Sequence, residues 1–205
     1  MALINNNRKA IFVHIYKTGG TSIRKLLSGF ECCDLHCPAW HVRAYLDSTE
    51  DSRIWNEYFK FAVVRNPYDF VVSLYHHIHN STEHAWHNAA TGTIDQFVLS
   101  LMTNHFNNSL FHGYQFFQTQ WQCVSEFDEV ILDKVYRFEE LHKAFKDLSY
   151  RVGTEDVVLH LNKTPTRKSR DFIAELSGES IEIINELYAE DFLHFQYSKI
   201  HKIIQ

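Results

Sequence analysis

The stretch IFVHIYKTGGTSI, residues 11 to 23, constrains the fold more than any other part of the chain. Residues 10 to 15 are an apolar run rich in β-branched and aromatic types, which predicts a buried strand. Two glycines follow, and then Ile23, Leu26 and Leu27 recur at helical spacing. Strand, glycine turn and helix in that order open an α/β unit. A turn of this kind points several backbone N–H groups at an anion, and the helix dipole favours negative charge there. Lys17 adds a full positive charge, and Thr21 and Ser22 add hydroxyl donors. The plain alternative is a tight turn with Thr21 as a helix cap. The order of residues excludes a simple Walker A loop, in which the lysine follows the glycines. Here Lys17 comes first.

A second unit of the same kind follows. Residues 60 to 64 form another buried-strand run, ended by Arg65-Asn66-Pro67. Asn66 suits an N-cap, Pro67 the first helical position, and Asp69 the first turn. Val71, Val72, Leu74, Tyr75 and Ile78 then make a core-facing stripe. Ligands of open α/β sheets gather at the C-terminal ends of the strands, where Arg65 and, one helical turn or two later, Ser73 fall. An arginine fork suits a phosphate. On spacing alone, a structural arginine and a packed serine is the simpler reading.

The rest of the chain is less explicit. Residues 31 to 59 read as irregular, with a short helical piece at 42 to 46. TIDQFVLSLM, residues 93 to 102, predicts a helix capped by Thr93. Residues 130 to 137 look strand-like and a helix follows from about 139. Residues 157 to 161 read as a further extended segment, and a closing helix spans about 180 to 189. Strands alternating with helices predict an α/β fold with a P-loop-like three-layer architecture and a central, mostly parallel sheet. At 205 residues, 1 to 205 is expected to be a single domain.

Composition narrows the function classes. A net charge of −5 offers no global attraction for nucleic acid or acidic membranes. No apolar run reaches the roughly 18 residues of a membrane span, and no signal peptide is read at the N-terminus. The expected location is therefore cytoplasmic. Cys32, Cys33, Cys37 and Cys123 have no zinc-site spacing. The histidines of YHHIHNSTEHAWH (His76, His77, His79, His84 and His87) have no carboxylate partner at a recognised spacing, so no metal is expected.

Two of these stretches resemble one known family. IFVHIYKTGGTSI is similar to the 5′-phosphosulfate loop of sulfotransferases of the heparan sulfate 2-O-sulfotransferase type and their bacterial relatives. FAVVRNPYDFVVSLY, residues 61 to 75, resembles their 3′-phosphate motif. AWHVRAYL, VYRFEEL, LNKTPTRKSR and FLHFQY resemble further family segments in the same order, so the resemblance runs from residue 11 to about 197.

The resemblance implies transfer of a sulfuryl group from 3′-phosphoadenosine 5′-phosphosulfate (PAPS) to an acceptor hydroxyl, with carbohydrate as the implied acceptor class. It implies that Lys17, Thr18, Gly19, Gly20, Thr21 and Ser22 hold the 5′-phosphosulfate and that Arg65 and Ser73 hold the 3′-phosphate. Lys163 and Arg167 would lie in a loop that covers the cofactor. It makes His41 the general base; on the residues alone His36 is the second choice, and His14, in the first strand, reads as structural. Lys17, placed before the turn, is set to neutralise the oxygen bridging phosphorus and sulfur as the S–O bond breaks. The chain departs from the family at Tyr16, where proline is usual, and at Phe70, where arginine is common near the cofactor helix. A P-loop-type kinase or nucleotide hydrolase is the rival enzyme, disfavoured by the lysine order and by the lack of an obvious Walker B-type acidic strand end. A non-catalytic anion-binding module is the other alternative.

Overall fold

A computed structural model describes residues 2–26, 31–33, 38–49, 52–82, 90–105, 118–153 and 172–201. Its main sheet contains β1 (Ala2–Asn5), β2 (Ala10–Val13), β3 (Glu31–Cys33), β4 (Phe59–Val64) and β7 (Lys134–Arg137) in the order β3-β1-β2-β4-β7. β2 pairs in parallel with β4, and β4 with β7. β1 is antiparallel to both β2 and β3, so it alone runs against the other four. The central sheet is thus mostly parallel. A separate two-stranded hairpin joins β5 (Ser125–Glu126) to β6 (Glu129–Val130).

The period-two alternation of the strands divides the core between the two faces of the sheet. Ala10, Phe12, Phe61 and Val63 face α1 (Gly20–Leu26) through Ile23, and α7 (Leu141–Val152) through Ala144, Phe145 and Leu148. Ile11, Val13, Ala62 and Val64 face the larger core. There they meet α2 (Ala39–Asp47), α4 (Pro67–His79), α5 (Ile94–His105), α6 (Gln120–Val124), α8 (Gly178–Leu187) and α9 (Ala189–His194). The result is the three-layer α/β/α arrangement. α3 (Ser52–Glu57) leads into β4.

Local signals explain the elements that carry the loops. Asn66 caps α4, its side-chain oxygen accepting from Tyr68 N–H at 3.0 Å, with Pro67 beginning the helix. Thr93 Oγ1 accepts from Gln96 N–H while Gln96 Oε1 accepts from Thr93 N–H, a reciprocal cap on α5. The C-terminal segment is locked onto α4 by Tyr68, whose hydroxyl donates to Asn185 Oδ1 and accepts from Ile200 N–H.

Several expected boundaries need correction. β2 ends at Val13, not at residue 15, because the chain turns out of the sheet toward the glycines. The stretch from 31 to 59 is more ordered than its composition suggests, since it holds β3, α2 and α3. The strand expected over 130 to 137 is two, β6 and β7, separated by a turn whose Asp133 carboxylate accepts from Lys60 N–H. The extended segment expected at 157 to 161 lies outside the described residues.

Candidate functional site

The segment between β2 and α1 is held in a backbone shape with little freedom. Lys17 sits at φ +58° and Gly19 at φ +92°. The left-handed region costs a non-glycine residue about 1 kcal/mol, and such residues cluster where a backbone must be aimed. Thr18 is fully buried and its hydroxyl donates to Ile15 O at 2.8 Å. That hydroxyl closes the loop on itself. The helix begins as Ser22 and Ile23 N–H donate to Gly19 O. Thr21 is exposed and Ser22 half-buried on its first turn.

Arg65 approaches this loop from the end of β4. β2 and β4 are parallel neighbours, so their C-terminal ends emerge side by side. Arg65 Nη1 donates to Lys17 O at 3.1 Å. The guanidinium lies 4.5 Å from the ring centroid of Phe138 and 5.5 Å from that of Phe172. Aromatic faces on a guanidinium fix its plane. Phe138 also abuts Gly19, where an added Cβ would sit 3.2 Å from its ring carbons. One ring thus spaces the two loops.

The backbone of Arg65 is also clamped. Its N–H donates to Gln120 Oε1 at 2.8 Å and its carbonyl accepts from Gln120 Nε2 at 2.7 Å. Gln120 is in turn held by Asp191, whose Oδ2 accepts from both Gln120 N–H and Gln120 Nε2. Asp191 Oδ1 accepts from Trp121 N–H at 2.8 Å. All three of Gln120, Asp191 and the Arg65 backbone are away from solvent. Burial pushes the Asp191 carboxyl up to about 6 against the three hydrogen bonds that favour its ionised form.

Further acidic groups frame the start of α4. Glu139 accepts from Asn66 N–H through Oε1 and from the Tyr197 hydroxyl through Oε2, both at 2.8 Å. Asp69 on the first turn is raised by burial, with Arg65 opposing that shift and Glu139 adding to it. Burial is also the main cause of the raised Tyr197 hydroxyl.

The remaining residues singled out in the sequence are dispersed. Ser73 is half-buried on α4. His41 is exposed on α2, its ring stacked on Trp40 with centroids 5.4 Å apart. α2 packs against α6 and β5, with Arg43 and Glu126 forming an ion pair, so His41 stands on the helix beside the one that carries Gln120. Among the described residues no hydrogen bond or ring contact joins His41 to Lys17 or Arg65. His36, His84, His87, Lys163 and Arg167 lie outside the described residues. His76 pairs with Glu175 at 2.6 Å and His79 Nδ1 meets Ala90 O at 2.7 Å, both packing roles. A cavity of about 380 Å³ opens between β7 and Trp121, and none of Lys17, Arg65, Ser73 or His41 lines it.

Both departures from the family pattern have a structural setting. Tyr16 is half-buried, stacked on His14, and its hydroxyl is raised by burial. Phe70 does not face the loop cluster. It is buried on the core side of α4, edge-on to Tyr188. Gln120, Phe138, Glu139 and Asp191 were not singled out in the sequence. The one available hint for Asp191 is its place directly before FLHFQY.

A lysine-bearing glycine turn after one parallel strand, with an arginine at the end of the next, is an arrangement suited to an anion at the strand ends of an α/β protein. The chain belongs to the sulfotransferase family, whose model matches residues 1–198. It is accordingly a transferase of the sulfuryl-transfer class. Comparison with curated proteins and with solved structures returns no match. Among the described residues, no helix is long and apolar enough to cross a membrane.

Proposed function

We propose that the chain moves a sulfuryl group from PAPS to an acceptor hydroxyl, releasing adenosine 3′,5′-bisphosphate. The observation that carries this reading is the 3.1 Å contact between Arg65 Nη1 and Lys17 O, which makes one surface of the two anion-binding loops. A ligand with phosphate groups on both the 3′ and 5′ positions of one ribose needs two such loops side by side. Lys17 to Ser22 hold the 5′-phosphosulfate, and Arg65 with Ser73 holds the 3′-phosphate. Lys17 stabilises charge on the leaving oxygen, and the site acts mainly by positioning and electrostatics.

In this reading His41 accepts the proton of the acceptor hydroxyl as the sulfuryl group arrives, and a neutral imidazole suits that task. Its exposure leaves it open to an incoming acceptor. A glycan is the acceptor class we favour, on the family resemblance. Lys163 and Arg167 are further proposed contacts.

Thermal unfolding with added nucleotides tests the donor assignment. Adenosine 3′,5′-bisphosphate is expected to raise the midpoint by mass action, and Arg65→Ala to abolish the rise. A larger rise with ATP and Mg²⁺ overturns the assignment in favour of a kinase or hydrolase. Transfer from labelled PAPS to a panel of sugars and phenols reads the acceptor class. His41→Ala is expected to keep nucleotide binding and lose transfer; full turnover in that variant removes His41.

A further inference from the structure

We propose that Gln120 and Asp191 are positioning residues that aim Arg65 at its anion, so that the C-terminal helix sets the chain's preference for a 3′-phosphorylated nucleotide. This rests on the reading of Arg65 as the 3′-phosphate ligand.

The geometry runs in one direction. Asp191 on α9 uses both carboxylate oxygens on α6, accepting from Gln120 N–H, Gln120 Nε2 and Trp121 N–H. These bonds fix the Gln120 amide so that its oxygen faces Arg65 N–H and its nitrogen faces Arg65 O. Both backbone groups of Arg65 are therefore held from one side chain. With the backbone fixed, the direction of its Cα–Cβ bond is fixed, and the Phe138 and Phe172 rings hold the far end. A simpler core could have satisfied the same strand end with a backbone partner or water. A buried amide held by a buried carboxylate is costly unless every bond is made. Here three elements distant in sequence meet on one strand-end residue.

Gln120→Met keeps the shape of the side chain and leaves both backbone N–H bonds to Asp191. Asp191→Asn turns an amide N–H toward donors. Near-UV circular dichroism confirms the fold of each. Binding of adenosine 3′,5′-bisphosphate and of adenosine 5′-monophosphate is then measured by titration calorimetry, at about pH 8, where phosphate monoesters are doubly ionised. The readout is the ratio of the two affinities. Both variants are expected to lower the wild-type ratio about tenfold, the worth of one hydrogen bond to a charged group, with the monophosphate affinity unchanged. A merely structural role would weaken both nucleotides alike. An unchanged ratio overturns the proposal, and so does loss of fold in both variants, since the network would then hold the core rather than the site. An unchanged ratio in Asp191→Asn alone removes Asp191. A wild type that does not distinguish the two nucleotides instead overturns the assignment of Arg65 itself.

Discussion

Gly20 has no room for a side chain. A Cβ built there would lie 1.9 Å from His14 Nε2, and the imidazole is stacked between Phe12 and Tyr16 with ring centroids 5.4 and 6.2 Å away. The ring cannot swing aside without leaving both neighbours. Gly20 opens α1, where alanine is otherwise better than glycine by about 1 kcal/mol. Overpacking against a pinned ring costs about 1–3 kcal/mol and should win. Gly20→Ala is therefore expected to destabilise the protein by up to about 2 kcal/mol and to displace the Lys17 loop, weakening binding of adenosine 3′,5′-bisphosphate. In a His14→Ala background the sign should reverse, because the helix preference alone remains. Urea unfolding of the four proteins checks this; equal effects of Gly20→Ala in both backgrounds would show that His14 is not the obstacle. His14 fills the space that a side chain at position 20 would take.

The elements that frame the two loops were legible in the sequence, because their signals are local. An apolar run followed by Lys-Thr-Gly-Gly, or by Arg-Asn-Pro, carries strand, turn and helix start within a dozen residues. The cap at Asn66 and the reciprocal cap at Thr93 are of the same kind. β1 was not legible, since four residues give too little alternation to distinguish a strand. Its partner β3 has only three. The clamp on Arg65 was hidden for a different reason. Gln120 and Asp191 are buried polar residues 71 positions apart, and burial of a polar side chain has no local signature. α6 itself has one weak signal, TQWQ, in which Thr119 Oγ1 accepts from Gln122 N–H and Gln122 Oε1 accepts from Thr119 N–H. Such a box matters for a five-residue helix, which cannot be stable by itself. Thr119→Ala should cost about 1 kcal/mol, a fall in melting temperature of about 2–4 °C for a chain of this size. Calorimetric melting reads the change, and an unaltered midpoint would mean that packing of Trp121 and Val124 alone holds α6 in place.

At the scale of the whole molecule, the C-terminal helices do more than cover one face of the sheet. They place a carboxylate inside the core, and a buried carboxylate makes stability depend on pH. Burial raises Asp191 from 3.8 to about 6 in the folded protein. A raised acid holds its proton more tightly when folded than when unfolded. Its favourable contribution is thus complete below pH 3.8 and is lost as the pH rises through 6. The size is about 3 kcal/mol, at about 1.4 kcal/mol for each pKa unit. Around it, the N–H donors of Gln120 and Trp121 oppose the shift, and Glu190 adds to it. The Tyr188 hydroxyl stands in the same region, is raised further by burial and stays neutral across this range. Other carboxylates also contribute to the full curve. Asp69 is raised by burial and acts in the same sense, whereas Asp147, lowered by its bond from Tyr136, acts in the opposite one. The difference between wild type and Asp191→Asn cancels those terms. Urea unfolding of both proteins from about pH 4 to pH 7 should show the wild type losing about 2–3 kcal/mol relative to the variant, since a part is already lost at about pH 4. A difference that stays level across that range would mean that the three hydrogen bonds outweigh burial and keep Asp191 ionised throughout. The clamp on Arg65 depends on the outcome: if Asp191 titrates near 6, the carboxylate that holds Gln120 is ionised at neutral pH and gains a proton in mild acid. The added proton would then relieve the buried charge at the expense of a bond to Gln120 or Trp121 N–H, so the fold gains stability in mild acid while the clamp on Arg65 weakens.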